Sequence, residues 1–505
     1  MLDQTFVLYF LLFILTIISF YFYQSMRSWK YLPPGPWGFP IVGHLPLLGD
    51  NSGVTFMQMA KKYGDVFYIR LGGWPTIVLN SRQSIREALI GQSEVFSDRP
   101  PFYSSKAVND MRSLGFGSYT PRWRLHKKIA IGVLRDFTSS KKDTIQEIIQ
   151  TDVDKLVEQF IARQGIPFDP HDFIFLAVGS IIYQICYGID KNCRIDEGYL
   201  YLIRNTKILQ EFAGGNLIDL LPWLRFVMPQ KAKHFVDILS RFVKSVDKGV
   251  NDHKRTFDES HLRDLTDGFI NAANKHTTDS SSKIGITEAD IFSTLQDFLG
   301  GGFDTTSTTI EWILLYVGQY KDVQRKIQME IDDVIGTRMP TLQDMGTLHY
   351  TEATILEVMR ISPVALITIP HATSCDTKFR NFKIKQNTVV LCNVYATSMD
   401  PNTWKQPDKF MPDRFLDDKN NIISENVDAL MTFSTGRRRC PGEFLARIEL
   451  FLFVVNIFQK CSVELALKPD FTGIFGLNYK PKPYLIILLF FSILIDLFPL
   501  KNVII

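Results

Sequence analysis

The most informative segment of this chain is Phe433-Ser434-Thr435-Gly436-Arg437-Arg438-Arg439-Cys440-Pro441-Gly442. It presents one cysteine on an arginine-rich loop that contains two glycines. Apolar residues then recur at helical spacing from Phe444 to Val455, so Cys440 lies just ahead of a predicted helix. The free N–H groups and the dipole of a helix N-terminus favour a negatively charged sulfur. The loop is therefore predicted to hold a metal-bound thiolate.

A cysteine taken singly is usually a small buried hydrophobe. Average residue frequencies make the combination of Phe433, Gly436, Arg438, Cys440 and Gly442 very improbable by chance. The glycines allow tight turns and a close approach to a flat cofactor, and the arginine offers a fork of donors to a carboxylate. We interpret the loop as a haem site in which the cysteine ligates the iron.

The composition indicates a large globular body and gives no sign of nucleic-acid binding. The chain has 505 residues, 46% of them hydrophobic, and a formal net charge of only +3. No Gly/Ser-rich or Pro-rich linker interrupts the segment from about Pro40 to Lys482, which favours one large domain. The six cysteines form no C-x-x-C pair, so neither a zinc finger nor a disulfide scaffold is expected.

The N-terminus is predicted to be a membrane anchor. Phe6 to Tyr23 is an uncharged apolar run, and Arg27 and Lys30 follow it, so the body is expected to stay in the cytosol. A cleaved signal peptide is the competing interpretation, but a basic leading region and a small-x-small cleavage site are missing. The chain thus divides into an anchor (1–26), a Pro-rich hinge (27–40), a main domain (41–488) and an apolar tail (489–505).

A second informative segment is the predicted long apolar helix from Phe298 to Tyr316. It contains Gly300-Gly301-Gly302-Phe303-Asp304-Thr305-Thr306, and three glycines in a helix interior cost about 1 kcal/mol each relative to alanine. Space for a ligand against the backbone would offset that cost. Asp304 and Thr305 then place an acid and a hydroxyl where they can hold water and pass protons to bound oxygen. The alternative is a glycine kink with helix-capping side chains.

Two further motifs gain meaning from their position relative to the cysteine loop. Glu357 and Arg360 lie three residues apart on a predicted helix that ends at Ser362-Pro363, a pairing that is common on surface helices. Arg414 follows a region of predicted strands, and we expect it to complete a cluster that braces the loop. Upstream, Trp123 to Lys128 opens a basic amphipathic helix, which is either a solvated face or a donor of hydrogen bonds to a haem propionate.

In this order and at these separations, the segments resemble the cytochrome P-450 superfamily of haem-thiolate monooxygenases, from the Pro-rich hinge to about Tyr484. The cysteine loop matches the haem-binding signature of that family, and Gly301 to Thr306 matches its oxygen-activation motif. The resemblance implies a mainly α fold with a small β-region near the N-terminus, formed by a single large haem domain behind the anchor. It also implies haem b as cofactor, O2 as co-substrate and NADPH as the electron source.

The resemblance also gives each candidate residue a role. Cys440 is the axial ligand of the haem iron, and Asp304 and Thr305 belong to the proton-delivery path. The haem-binding residues are Phe433, Gly436, Arg438, Gly442, Trp123, Lys127 and His371, with Arg112 as a further propionate candidate. The structural triad is Glu357, Arg360 and Arg414. The apolar substrate pocket consists of Phe298, Gly301, Gly302, Val364, Ala365, Leu366 and Ile367.

The anchor and hinge resemble the microsomal type of the family, which lies in the endoplasmic reticulum membrane and takes electrons from NADPH–cytochrome P-450 reductase. Cytochrome b5 is a second candidate partner. The predicted docking face is formed by Arg124, Lys127, Lys128, Arg437 and Arg439. Several segments, among them Ile369-Pro370-His371, look most like steroid 17α-hydroxylases and the aryl-hydrocarbon and drug-metabolising families.

The predicted activity is insertion of one oxygen atom of O2 into a lipophilic substrate, either steroid-like or an aromatic xenobiotic. Two alternatives stay open: a reductase-independent isomerase or peroxygenase of the same fold, and a non-catalytic haem-binding protein. Two features depart from the family pattern. Lys127 stands where arginine is usual, which replaces a bidentate fork with a point charge. The apolar tail continues past the last predicted strand, Tyr484 to Leu488, and its removal is expected to leave haem binding intact.

Overall fold

The computed structural model describes residues 31–107, 109–188, 195–212, 216–277 and 286–490, together with Tyr9, Leu12, Phe13 and Thr16. These residues form a mainly helical protein with a small amount of β-sheet, which confirms the predicted fold class. Most of the predicted anchor and residues 491–505 of the tail lie outside the described residues. Among the helices that are described, none combines the length and the apolar character needed to cross a bilayer.

The helices are numbered here in chain order within the described residues. They are α1 (Ser52–Tyr63), α2 (Arg82–Arg86), α3 (Ser93–Phe96), α4 (Tyr103–Ala107), α5 (Pro121–Ser140), α6 (Lys142–Ile161), α7 (His171–Tyr187), α8 (Glu197–Arg204), α9 (Thr206–Phe212), α10 (Leu217–Leu220), α11 (Leu224–Val227), α12 (Pro229–Arg255), α13 (Leu265–Thr277), α14 (Glu288–Gln319), α15 (Lys321–Val334), α16 (His349–Ile361), α17 (Val394–Ser398), α18 (Ser424–Ala429) and α19 (Glu443–Lys460).

The strands form one larger sheet and two hairpin-like pairs. They are β1 (Val66–Leu71), β2 (Trp74–Leu79), β3 (His371–Ala372), β4 (Thr377–Phe379), β5 (Phe382–Ile384), β6 (Val389–Cys392), β7 (Cys461–Leu465) and β8 (Ile486–Phe490). The larger sheet has the order β1-β2-β6-β3, with β2 and β6 parallel and the other neighbours antiparallel. The expectation of a β-region near the N-terminus is therefore only half right. β3 and β6 come from residues 371–392 and pair with the N-terminal hairpin to bury its second edge.

Helix α14 runs through the middle of the main core. Its start is fixed by a capping box, in which Thr287 and Asp290 exchange side-chain to backbone hydrogen bonds. Nearly every residue from Phe303 to Gly318 is buried, because the helix packs against α7, α19 and β7 on different sides. A helix that is apolar all round belongs in the interior of a large domain. This position gives its polar residues, Asp304 among them, a surrounding of low polarity.

Segments on both sides of the predicted domain boundaries pair with strands of the main domain. The backbone N–H of Tyr68 in β1 donates to the Pro34 carbonyl at 2.8 Å, and a side chain at Gly35 would lie 1.9 Å from the Tyr68 carbonyl oxygen. The predicted hinge thus packs on the sheet from about Pro33. At the other end β8 continues to Phe490, two residues past the predicted limit, because it pairs with β7 as far as Cys461. A truncation after Leu488 would cut this strand.

In the predicted Glu-Arg-Arg cluster, Glu357 and Arg360 are fully buried and the Arg414 side chain is 7% exposed. Arg360 donates to both carboxylate oxygens of Glu357, at 2.7 and 2.8 Å, and Arg414 lies 3.0 Å from the same carboxylate. Both guanidinium groups also donate to the Lys409 carbonyl, so the cluster ties α16 to the chain just before Pro412–Phe415. A buried ion pair of this kind is costly to break from one side, because it leaves an unpaired charge.

Replacing Glu357 by Gln is expected to destabilise the protein by about 3–5 kcal/mol, since two buried guanidinium groups lose their counter-charge. Urea denaturation of the full chain in detergent, followed by tryptophan fluorescence, measures this free energy of unfolding. The matched control is Asp376→Asn, which removes an exposed partner of Lys385 and should cost less than about 1 kcal/mol. Equal losses for the two variants would contradict the bracing role of the cluster.

Candidate active site

A large cavity of about 780 Å³ lies between α14 and the cysteine loop. Its apolar lining far exceeds its polar lining, and Arg99, His371 and Arg438 form what we term its polar edge. Most of the predicted site residues border it. The bordering residues from the predicted set are Trp123, Lys127, Phe298, Gly301, Gly302, Asp304, Thr305, Val364, Ala365, Ile367, His371, Phe433, Arg438, Cys440 and Gly442.

Cys440 is exposed to this cavity at the N-terminus of α19. Its backbone N–H donates to the Phe433 carbonyl at 3.0 Å, which closes the loop into a compact turn. Burial raises the pKa of the thiol, and the N–H groups of Gly442 and Glu443 only partly oppose that rise. A metal ion at the sulfur would supply positive charge that favours the thiolate, in line with the sequence prediction of a metal-bound thiolate.

Gly436 shapes the loop by close packing. It has a φ of +71°, and a side chain there would lie 2.1 Å from the Leu89 carbonyl oxygen. Only glycine fits both conditions. The residue thus seats the loop on the segment Glu87–Gly91 and does not border the cavity. Gly442 does border it, and a side chain there would lie 4.0 Å from the Cys440 sulfur.

Arg438 is buried at the polar edge of the cavity. Its guanidinium donates to the carbonyls of Ser97 (2.8 Å), Leu114 (2.9 Å) and Gly117 (2.6 Å). The same group lies 3.8 Å from the centroid of the Trp123 ring, whose indole N–H also donates to the Leu114 carbonyl. Burial lowers the pKa of the guanidinium well below its usual range. Its charge is met by carbonyl dipoles and an aromatic face instead of a carboxylate.

Arg99 adds to the positive charge at this edge, and His371 lies beside it. Arg99 donates to the Gly115 and Ile369 carbonyls at 2.8 and 2.7 Å, and burial lowers its pKa to about 10. The Nδ1 atom of His371 lies 2.9 Å from the Phe96 carbonyl oxygen. Burial, reinforced by the two arginines, holds the pKa of His371 well below its usual range. Sequence reasoning missed Arg99, because a lone arginine before Pro100 carries no motif signal.

Lys127 forms hydrogen bonds with the backbone of the cysteine loop. Its ammonium group donates to the carbonyls of Arg437 and Arg439. Burial, with the nearby Arg438 charge, lowers its pKa to about 8. The point charge of lysine is therefore used to satisfy two backbone carbonyls on either side of the loop. Arg112, by contrast, is exposed and does not border the cavity, so the structure does not bring this propionate candidate to the site.

The carboxylates near the polar edge accept hydrogen bonds from backbone N–H groups and a hydroxyl, and among the residues that the structure describes they form no ion pair with the buried arginines. Asp98 accepts hydrogen bonds from the backbone N–H groups of Arg99 and Tyr119, each at 2.8 Å. Asp297 accepts from the Ser113 hydroxyl and the Leu114 N–H, each at 2.6 Å, and burial raises its pKa to about 6. The polar edge thus carries an excess of buried positive charge beside a largely apolar cavity that Cys440 also borders. This set fits haem b, which presents two carboxylates at the edge of an apolar ring.

The predicted oxygen-activation motif lies on the cavity face of α14. A side chain at Gly301 would meet no atom within 4 Å, so this position opens directly onto the cavity. At Gly302 a side chain would lie 3.0 Å from Ile182, so this glycine also allows α7 to pack closely. The Thr305 hydroxyl donates to the Gly301 carbonyl at 2.9 Å. The glycines therefore serve both the ligand space and the helix packing.

Asp304 is held by two residues from the C-terminal part of the domain. The Asn478 amide donates to one carboxylate oxygen at 2.5 Å, and the Lys480 ammonium lies 2.7 Å from the other. The carboxyl group is buried at 7% exposure, so its counter-charge is essential. Sequence reasoning placed Asp304 beside the cavity but missed both partners, which lie more than 170 residues away along the chain.

Leu366, a predicted wall residue, and Glu449, which the sequence did not predict, complete the description of the cavity walls. Leu366 is buried in the core against Gly53 and does not border the cavity, whereas Val364, Ala365 and Ile367 do. Glu449 borders the cavity from α19, and burial raises its pKa to about 8. Its position within a continuous apolar helix gave no sequence signal of a site.

Comparison with known proteins identifies the family. A sequence profile of the family described as Cytochrome P450 matches residues 33–488. Cytochrome P450 1A1 of Macaca mulatta is 33% identical over 464 residues, covering 89% of this chain and 90% of that protein. Cytochrome P450 1A5 of Gallus gallus is 34% identical, covering 91% of this chain and 89% of that protein. Cytochrome P450 1A1 of Homo sapiens is 34% identical, covering 89% and 90%. The resemblance stated from the sequence is confirmed, and the chain belongs to the cytochrome P450 family of haem-thiolate monooxygenases.

Proposed function

We propose that this protein oxidises lipophilic compounds, either planar aromatic xenobiotics or steroids, at the endoplasmic reticulum membrane. It inserts one atom of O2 into the substrate with NADPH electrons delivered by a reductase. The single observation that carries the proposal is the placement of Cys440, Asp304 and Thr305 on one largely apolar cavity. Such a cavity favours lipophilic substrates, and its few polar groups are suited to chemistry at one point.

Within this proposal the chain's own residues bind and orient the cofactor. Arg438, Arg99, His371 and Trp123 hold its carboxylates at the polar edge, and Cys440 ligates the iron through the sulfur. When bound, haem supplies the redox chemistry that activates O2. The loop hydrogen bonds of Lys127 and the backbone N–H of Cys440 fix the position of the sulfur before the cofactor arrives.

Asp304 and Thr305 handle protons in this proposal. The Thr305 hydroxyl already donates to the Gly301 carbonyl, so its oxygen is free to accept a hydrogen bond from a ligand in the cavity. Asp304, one residue before it, is paired with Lys480, and its carboxylate oxygens are the proposed point of proton exchange with the cavity. A reductase-independent isomerase or peroxygenase, or a non-catalytic haem-binding protein, has less need of the Asp304–Thr305 pair.

The substrate specificity is proposed to follow from the apolar walls. Phe298, Val364, Ala365 and Ile367 offer only dispersion contacts, and Gly301 leaves the helix backbone open to a flat molecule. These walls do not favour a steroid over a polycyclic aromatic. Progesterone and 7-ethoxycoumarin represent the two classes in the tests below.

Replacing Cys440 by Ala is expected to abolish the band at about 450 nm in the reduced-plus-carbon-monoxide difference spectrum, because the thiolate ligand is lost. Membranes from cells that express the full chain are used for the measurement. The control is Cys375→Ala, which removes an exposed free cysteine and should keep the band. A band at about 420 nm in the unaltered protein would argue against bound thiolate.

Asp304→Asn and Thr305→Ala are expected to lower the product formed per NADPH about tenfold or more and to raise hydrogen peroxide release, because proton supply is impaired. Product, NADPH and peroxide are measured with reductase and each of the two substrates. Ser293→Ala removes a hydroxyl from the same helix away from the cavity and serves as the control. If NADPH consumption needs neither reductase nor substrate, the monooxygenase proposal fails for these substrates.

Lys128→Glu is expected to slow electron transfer from reductase several-fold at low salt. The substitution removes an exposed positive charge from this protein that would attract an acidic surface on the reductase. Stopped-flow reduction of the haem under carbon monoxide gives the rate. Lys62→Glu, on the exposed side of α1, should leave the rate unchanged. A rate that shows no dependence on salt would exclude electrostatic docking at this face.

A further inference from the structure

Two pairs of polar groups lie beside α14, one at the protein surface and one that includes Asp304. In the surface pair the His171 side chain is 39% exposed, and its Nδ1 atom lies 2.7 Å from the Glu311 carboxylate, which is 5% exposed. His171 is the first residue of α7, and Glu311 lies on α14. The pair therefore joins a solvent-accessible imidazole to a buried acid.

Lys480 belongs to the second pair, with Asp304. Its ammonium group lies 2.7 Å from the Asp304 carboxylate and 4.4 Å from the centroid of the Phe175 ring. The His171 ring packs on the same Phe175 ring, with 4.2 Å between centroids. One phenyl ring thus separates the imidazole from the ammonium group, so the two cationic groups belong to one cluster.

The helix geometry connects the two pairs. Asp304 and Glu311 are seven residues apart, which places them on the same face of α14 about 10 Å from each other. Ser307 and Thr308 lie between them. Their hydroxyls are buried and have no hydrogen-bond partner within the part of the chain that the structure describes. Buried hydroxyls in this state are suited to carry protons through ordered water.

The electrostatics of the His171–Glu311 pair suit the sharing of a proton between the two groups. Burial lowers the pKa of His171, but the hydrogen bond and charge of Glu311 outweigh it, so the net shift is upward. Burial also raises the pKa of Glu311, against the opposing effect of His171 and Lys480. The remaining groups that face the pair are Asp169, which raises both pKa values, and the Tyr484 hydroxyl, which donates to the Glu311 carbonyl.

We propose that His171, Glu311, the hydroxyls of Ser307 and Thr308, and Lys480 form the inlet through which solvent protons reach Asp304. This inference deepens the function proposed above and rests on it. Monooxygenation takes up a pair of protons and a pair of electrons for each oxygen atom inserted and releases one water. Each proton that Asp304 gives to the cavity is replaced from solvent through His171, so the inlet returns to its starting charge. These residues act through Asp304 and are positioning residues.

The test compares Glu311→Gln and His171→Gln with His253→Gln. The control breaks a similar pair elsewhere, since the Nε2 atom of His253 lies 3.0 Å from the Asp264 carboxylate. Haem content, product, NADPH and hydrogen peroxide are measured with reductase and 7-ethoxycoumarin, in H2O and in D2O. The inlet variants are expected to keep their haem, to form roughly threefold to tenfold less product per NADPH with more peroxide, and to show a larger solvent isotope effect.

A second measurement is independent of turnover. In full-length protein labelled with carbon-13 at the histidine Cε1 position, the resonance that is lost in His171→Gln reports the His171 pKa. It is expected above the ordinary value and should fall in Glu311→Gln but not in His253→Gln. Suppose that the unaltered protein oxidises 7-ethoxycoumarin while the inlet variants match His253→Gln in product formed per NADPH and in solvent isotope effect. This result refutes the inlet proposal and leaves the proposed function standing. If neither 7-ethoxycoumarin nor progesterone is oxidised, the proposed function itself is refuted.

Discussion

Buried positive charge at one edge of the cavity is the constraint on which the rest of this structure depends. Elsewhere the chain pairs its buried charges, as in Arg360 and Arg414 with Glu357, or Lys480 with Asp304. Arg438 and Arg99 instead donate to backbone carbonyls, which bring the segments around Ser97, Leu114 and Ile369 to one place. Carbonyl dipoles solvate a guanidinium but do not neutralise it. The anionic cofactor completes this edge, so folding of the cavity and cofactor binding are coupled.

Helix α14 links the other parts of the site because adjoining faces of the helix meet different partners. The glycines and Asp304 border the cavity, while Asp304 also contacts the C-terminal segment and Glu311 contacts α7. Since both faces belong to one rigid element, the position of the acid relative to the cavity does not depend on a loop. The helix can carry these polar groups because α7, α19 and β7 bury the remainder of its surface.

Much of this arrangement could be predicted from the sequence because its signals are local. The Cys440 loop, the glycines of α14 and the end of α16 each follow from residues that are neighbours along the chain. The partners of Asp304 could not be predicted, since Asn478 lies 174 residues away and has no motif of its own. Arg112 and Leu366 were assigned to the site by position in a motif, but their side chains do not border the cavity. Side-chain direction depends on how segments pack, which composition and spacing do not specify.

His371 shows how the protein without its cofactor differs chemically from the protein with the cofactor bound. A carbonyl oxygen only accepts hydrogen bonds, so the Nδ1 atom must carry the proton in its contact with Phe96. In the neutral ring the Nε2 atom is then bare and has nothing to donate to a carboxylate. To hold an anionic group there, the imidazole has to capture a second proton when the cofactor enters. Proton uptake and cofactor binding are therefore thermodynamically linked at this residue. Alkaline conditions weaken the binding of an anionic cofactor group by His371, and mild acid strengthens it.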